Sequence, residues 1–470
     1  MKGRVDPTRD DPVVAALSES VGGPVGTRWA GHRWWTPTRV LLLLAAVTFS
    51  LGMVQKSACV DDDWVFAQER YSHMCYTDLP FLYTGRGLAE LAWPYTEDAQ
   101  VRSRYQVMEY PVGISYFAWG AAWVTHWVSG SPDVSARGDV PAGDLAGTPE
   151  VRSELGTFVI VNALAFAAMA LLSAWLLAGV HRRRPWDAAA FALSPALALT
   201  ALINWDMLPV VLVAASLWTW SRDKPVATGV LIGLGTAVKL YPLFLLGGIA
   251  VICLRRRRWP ELALTCAAAA VTWVVVDLPA YLSGPAEWKV FWSFNSERGP
   301  DLGSIWLVLQ QASGATITPE TVNHWSWGFF LLWCAGVAVL GLRAPSTPRL
   351  AQLGFLVVAG FLLVNKVYSP QYVLWLLPLA VLARPRWRDQ LVWQATEVVY
   401  FASVWWYLDG ALQPAGGDDV GFYWIAIVLR MLGELYLVAL VARDVWVPRH
   451  DPVRAVSPPL VEQRVPSTAG

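Results

Sequence analysis

The chain reads as an all-α membrane protein that crosses a bilayer many times, and three observations predict this. Of its 470 residues, 55% are hydrophobic and the mean hydropathy is +0.40, beyond the apolar share of a soluble domain. Charged residues make up only 15% and gather in clusters between long apolar runs, the pattern of lipid-embedded helices whose backbone groups are satisfied internally. The 28 Trp fit the same picture, because an apolar ring with one N–H donor favours the membrane–water boundary.

Residues 1–38 are polar and contain Gly and Pro, so they read as a disordered cytoplasmic tail. No apolar h-region with a small-residue cleavage site precedes Val40, which argues against a signal peptide. Apolar runs then occupy 40–55, 111–129, 153–179, 188–203, 207–221, 226–239, 241–254, 261–278, 326–342, 350–365, 371–383, 391–408 and 421–442. Several fall short of the ~20 residues of a perpendicular span, so the expected count is roughly 12–14 spans. Residues 444–470, rich in Pro, Val and Arg, read as a second disordered cytoplasmic tail, leaving 39–443 as the membrane domain.

Basic clusters at Arg182–Arg184, Arg255–Arg258, Arg343/Arg349, Arg384/Arg386/Arg388 and Arg443 assign those corners to the cytoplasm. The acid-rich or base-poor stretches 56–110, 279–324 and 409–420 then face outward. The alternation is consistent from Arg184 onward. Before it, three apolar runs lie between two cytoplasmic segments, an odd number that cannot join the same side. Either 153–179 breaks in two, or 111–129 does not cross, or the Arg182 cluster faces out.

The polar loop from Lys56 to Pro111 is where chemistry is expected. It holds Cys59 and Cys75, which an oxidising compartment would join in a disulfide, with two free thiols as the alternative. Cys253, Cys266 and Cys334 lie in spans and read as small apolar residues. Asp61–Asp63 reads as a solvated run, or as ligands for a divalent cation, the one cofactor the sequence suggests. There is no P-loop, dinucleotide fingerprint, HExxH or zinc-type spacing, and nothing calls for a nucleic-acid partner. Gly233 and Gly235 sit within a span and read as helix packing.

Several polar residues need explaining. Asp78 precedes Leu79-Pro80-Phe81-Leu82-Tyr83, an interfacial helix that it could N-cap; as a carboxylate at the membrane surface it could instead take a proton from a sugar hydroxyl. Asp206, in Asn204-Trp205-Asp206, is a cap or a sugar contact. Glu109 is solvated or functional, and Pro111 suits a first helical turn. Lys239 lies within an apolar run, where it must snorkel or find an anion. Arg298 and Lys366 are cations at two further outer corners. Three cations above an acidic loop suit a lipid-linked phosphate beside a general base. Glu397 lies inside a span, as do Arg430 and Glu434, which at i,i+4 share a helix face and pair. His324 is a ligand contact or an interfacial residue.

Taken in order, Cys75-Tyr-Thr-Asp78, Tyr83 with Arg86-Gly-Leu, Trp93-Pro-Tyr95, Glu109-Tyr-Pro111, Asn204-Trp-Asp206, Lys239-Leu-Tyr-Pro242, Arg298-Gly with Gly303-Ser304 and Ser369-Pro-Gln-Tyr372 resemble glycosyltransferase family 87. This is a branch of the polytopic GT-C superfamily that includes actinobacterial polyprenyl-phosphate-mannose-dependent α-(1→2) mannosyltransferases. The resemblance runs from Arg39 to Arg443 and implies a GT-C-like bundle with its active site outside the plasma membrane. It implies inverting transfer of a sugar, mannose first, from a polyprenyl-phosphate donor to an envelope glycolipid or glycan.

On that resemblance Asp78 is the general base, and Lys239, Arg298 and Lys366 hold the donor phosphate. Glu109, Tyr110, Asn204, Asp206, Tyr241, His324 and Gln371 are the candidate sugar and acceptor contacts. Two features depart from the family pattern: Pro111 is followed by Val112 rather than a second Pro, and 133–151 is an insertion. Two rival readings use the same spans: a transporter or lipid flippase, which predicts inverted repeats and midplane charges, and a non-catalytic envelope scaffold, which leaves Lys239 unexplained.

Overall fold

The computed structural model describes residues 34–61, 64–67, 69–181, 183–412 and 421–454. Every regular element among the described residues is helical. Five helices are long and apolar enough to cross a bilayer: Pro37–Gln55, Pro149–Val180, Trp259–Ser283, Pro319–Arg343 and Gly421–Trp446. Shorter apolar helices, among them Met207–Trp220, Pro225–Val238 and Leu350–Val364, lie between them. Leu350–Val364 and Val373–Ala383 are apolar on every face and buried along almost their whole length, so they form the centre of the bundle. Trp259–Ser283 and Pro319–Arg343 bury only a few residues each and form its rim.

Not every apolar run is a crossing. The Arg104 guanidinium donates to the carbonyls of Arg137 and Val140 at 3.2 and 2.9 Å, and to that of Gly138 at 3.0 Å. Arg137 in turn donates to the Ala89 carbonyl and to both oxygens of Glu154, at 2.9 and 2.7 Å. Trp119, midway along the helix Val112–Val128, reaches the Leu91 carbonyl at 3.0 Å. The segments before and after Val112–Val128 therefore form one layer, and the helix begins and ends on the same side. Pro149–Val180 follows as one unbroken helix. Of the three ways out of the parity conflict, these contacts favour the one in which 111–129 does not cross. The structure also shows the 133–151 insertion held to the first loop by the Arg104 and Arg137 hydrogen bonds and to Pro149–Val180 by the buried Arg137–Glu154 ion pair.

The ordered bundle runs past residue 443, where the sequence placed a tail. Asp444 lies 2.6 Å from the buried Arg384, and Asp451 receives Arg349 at 2.9 Å. The buried Arg384 and the half-buried Arg349 need these carboxylates, and that need holds the chain down to Arg454. Residues 1–33 and 455–470, the rest of both expected tails, lie outside the described residues, as do Arg182, Asp62 and Asp63.

The helices Pro225–Val238 and Trp259–Ser283 touch backbone to backbone. A Cβ at Gly229 or Gly233 would strike the carbonyls of Thr265 and Ala269, so only glycine admits this contact. Gly235 leaves room for Pro242, which turns the chain just after Lys239.

Single cysteines at Ser103 and Ser135, either side of Val112–Val128, are expected to react with a membrane-impermeant maleimide from the same face of oriented vesicles. Labelling from opposite faces would make the helix a crossing.

Candidate active site

The first loop is drawn back onto the end of the first span. Gln55 donates to the Met74 carbonyl at 2.6 Å and the Lys56 amine to the Tyr76 carbonyl at 2.9 Å, while Cys59 and Cys75 form a disulfide. Next along the chain, the Thr77 hydroxyl and the Asp78 backbone N–H both donate to the Ile203 carbonyl, at 3.1 and 2.8 Å. These bonds fix Asp78 against the corner that carries Asn204. Asp78 does occupy the N-cap position of Leu79–Gly85, with Pro80 in the first turn, but its carboxylate makes no capping bond. Thr77 takes the Leu79 N–H instead. The side chain that the sequence pattern offers as a cap is left to face elsewhere.

It faces a cavity of about 600 Å³ that is also lined by Glu109, Tyr110, Asn204, Lys239, Tyr241, Arg298, Lys366 and Gln371. The Asp78 carboxylate accepts from Asn204 at 3.2 Å and from the Tyr110 hydroxyl at 3.4 Å, with the Tyr76 hydroxyl nearby. Burial raises the Asp78 carboxyl above the ordinary aspartate range, an effect opposed by the Tyr76 hydroxyl, the Asn204 hydrogen bond and the Lys239 charge. Arg86 clamps Glu109 through both oxygens, at 3.0–3.2 Å, and so holds the adjoining Tyr110; Glu109 is not a freely solvated carboxylate.

The three cations differ. Lys239 is buried rather than snorkelling. Its amine is 3.5 Å from Asp206 and 4.9 Å from the centre of the Tyr110 ring. Asp206 heads Met207–Trp220 without capping it; its carboxylate instead takes the Trp375 N–H at 2.6 Å. Arg298 is paired with Asp301 at 2.5 Å. Lys366 has no carboxylate partner among the described residues. It donates to the Asn295 carbonyl and, at 2.6 Å, to the Asn323 side chain, and burial followed by the nearby Arg298 charge lowers its pKa. Backbone bonds from Asp301 to Lys366 and from Tyr368 to Leu302, at 2.8 and 2.7 Å, bring these two loops together.

Three buried polar atoms on the lining, Asn204 Oδ1, Gln371 Oε1 and the Tyr241 hydroxyl, lack a partner. His324 is not on this lining. It borders a more open hollow of about 910 Å³ beside it, which shares Ser296, Asn323 and Trp327 with the main cavity. Phe291, Trp292, Phe330, Phe361 and Trp375 complete the wall and were not foreseen, because in an apolar sequence a lining aromatic has no local mark. Tyr76 and Tyr372 lay within the quoted motifs without a role. Of Asp61–Asp63, only the Asp61 backbone is described, so that reading is outside the described residues.

This set of one buried carboxylate, several cations and many aromatic rings can take a proton, hold an anion and stack against a sugar or an isoprenoid. Residues 150–370 match the model of glycosyltransferase family 87. This stretch, somewhat under half of the chain, is similar to that family. The match contains Asn204, Asp206, Lys239, Tyr241, Arg298, His324 and Lys366. Asp78, Glu109, Tyr110 and Gln371 fall outside it, yet the fold brings them onto the same cavity as Asn204, Lys239, Tyr241, Arg298 and Lys366 from within the match. No curated protein matches the chain.

Gly303, between Arg298 and the following helix, has φ of +71° and lies against the Tyr368 carbonyl and the Tyr400 hydroxyl. Gly303→Ala is expected to destabilise the protein by about 2–3 kcal/mol, because a Cβ is both strained and crowded there. This should appear as a lower unfolding midpoint of the detergent-solubilised protein; an unchanged midpoint would mean that the two cavity loops yield freely.

Proposed function

We propose that this cavity transfers a sugar, with mannose the first choice, from a polyprenyl-phosphate donor to a hydroxyl of an envelope glycolipid or glycan at the outer face of the plasma membrane. The observation that carries the reading is the shared cavity: a buried carboxylate, oriented by Asn204 and Tyr110, opens onto the same space as Lys366 and Arg298.

Asp78 takes the proton of the acceptor hydroxyl as that oxygen bonds to the anomeric carbon. The bond from that carbon to the phosphate oxygen breaks, and the polyprenyl phosphate leaves with the electron pair. Attack opposite the leaving group inverts the anomeric centre. Lys366, with Arg298 and Lys239 around it, stabilises the charge that gathers on the phosphate. Asn204, Gln371 and Tyr241, each with an unpaired polar atom on the lining, are the sugar contacts, and Glu109 and Asp206 orient Tyr110 and Lys239.

The test is transfer of radiolabelled mannose from polyprenyl-phosphate-mannose into lipid extracts by membranes containing the protein. Asp78→Asn is expected to lower transfer by about 10²-fold or more at equal protein level. Undiminished transfer would return Asp78 to a structural role. Replacing Lys366 by Met is expected to cost about tenfold or more, read mainly as a lower kcat if the charge develops during transfer.

The pH dependence has a definite sign. Asp78 must be ionised to accept a proton, and burial raises its pKa. Transfer should therefore fall as pH drops through a midpoint above the ~3.9 of an ordinary aspartate. An acid limb at or below that value would place the proton acceptor elsewhere.

A further inference from the structure

Lys56 stands one residue beyond the first span, where a lysine ordinarily reaches for water. Here it is 1% exposed, and its one hydrogen bond goes to the Tyr76 carbonyl at 2.9 Å. Among the described residues Asp78 is the one charged group whose field reaches it, and no described carboxylate pairs with it directly. Tyr76, the residue it grips, stands two residues before Asp78, and its hydroxyl lies near enough to that carboxylate to favour its charged form. The Cys59–Cys75 disulfide and the Gln55 bond to Met74 hold the same few residues, so the Lys56 amine is the charged member of a three-part clamp. A buried lysine spent only on a backbone carbonyl is costly, since a neutral donor would serve that bond as well.

We infer that Lys56 is a positioning residue for Asp78: through Tyr76 it fixes the carboxylate's orientation, and its charge favours the ionised form. This rests on the reading of Asp78 as the base. Burial brings the Lys56 amine down to about 7 while Asp78 pulls it up, so the amine carries its charge on the acid side of neutrality. The groups facing Asp78 are Tyr76, whose carbonyl Lys56 holds, and Asn204, Lys239, Asp206 and Tyr110, none of which hydrogen-bonds Lys56 among the described residues.

The experiment compares pH profiles of sugar transfer for the full-length protein in membranes and for two variants. Lys56→Met removes both bond and charge; Lys56→Gln keeps an N–H for the Tyr76 carbonyl and removes only the charge. With Lys56→Met, kcat is expected to fall about tenfold with donor KM little changed, and the acid limb to move up by about one pH unit. With Lys56→Gln the limb should move similarly while kcat falls less. If one variant fails to accumulate as a monodisperse protein, the other decides. Unmoved limbs in folded variants overturn the inference and leave the proposed reaction intact. If neither variant folds, Lys56 serves the fold rather than Asp78, and the inference is equally overturned. If the unmodified protein shows no Asp78-dependent transfer, the proposed reaction itself fails and takes this role with it.

Discussion

A charge inside a lipid-surrounded bundle must find an opposite charge or a full set of hydrogen bonds, and much of this architecture follows from that constraint. Arg384 is paired with Asp389 and Asp444, Arg137 with Glu154, and Arg430 with Glu434. The first two join segments distant in sequence, so meeting the constraint also fixes how the ends of the helices are stitched together. Such pairs contribute little net stability against apolar substitutes, but removing one partner strands the other. Their value here is geometric: each dictates a register between helices that apolar packing alone leaves loose.

The Arg430 cluster shows how that geometry reaches the cavity. Its guanidinium lies 3.7 Å from the centre of the Tyr368 ring, and the Tyr368 hydroxyl bonds Glu397 at 3.0 Å. The Tyr368 backbone accepts from the Tyr400 hydroxyl at 2.5 Å and donates to Leu302, while the Gly303 N–H reaches the Tyr423 hydroxyl at 3.0 Å. A structural ion pair is thus continuous with the two loops that carry Arg298 and Lys366. The spacing of Arg430 and Glu434 revealed their pairing; the aromatic layer that carries the effect onward is a tertiary fact.

What could be read from the sequence follows the same division. Apolar runs betrayed most of the helices because the apolar character that lipid selects is written locally along the chain. Val112–Val128 misled because a helix covered by protein on one side and lying under a loop layer is as apolar as one that crosses. The candidate site residues stood out as polar exceptions in apolar surroundings, and the described cavity is lined by all of them but His324 and Asp206, the latter lying against Lys239. Their partners were hidden. Whether Asp78 caps a helix or faces a cavity depends on Ile203 and Thr77, and whether Lys239 is free depends on Asp206, so neither outcome is written in the residue's own neighbourhood. Lys56 was overlooked for the same reason, since its position at the end of a span looks ordinary until the disulfide-bonded segment folds over it.

The pairing also ranks cations that the sequence left equal. Lys239 already has Asp206, and Arg298 already has Asp301, so an incoming phosphate must compete with a carboxylate for either of them. Lys366 holds only a carbonyl and an amide, neutral acceptors that a phosphate outmatches electrostatically. In the proposed reaction it is therefore the primary phosphate ligand, with Arg298 raising the local potential beside it. Lys239 lies over the ring of Tyr110, whose hydroxyl touches Asp78, and its charge reaches that carboxylate. Its weight falls on keeping the base ionised, with Asp206 limiting how far the charge is felt. A site that must hold an anion at one place and keep a carboxylate reactive at another is served by this division, since one unscreened cation between them would tie the base to the leaving group.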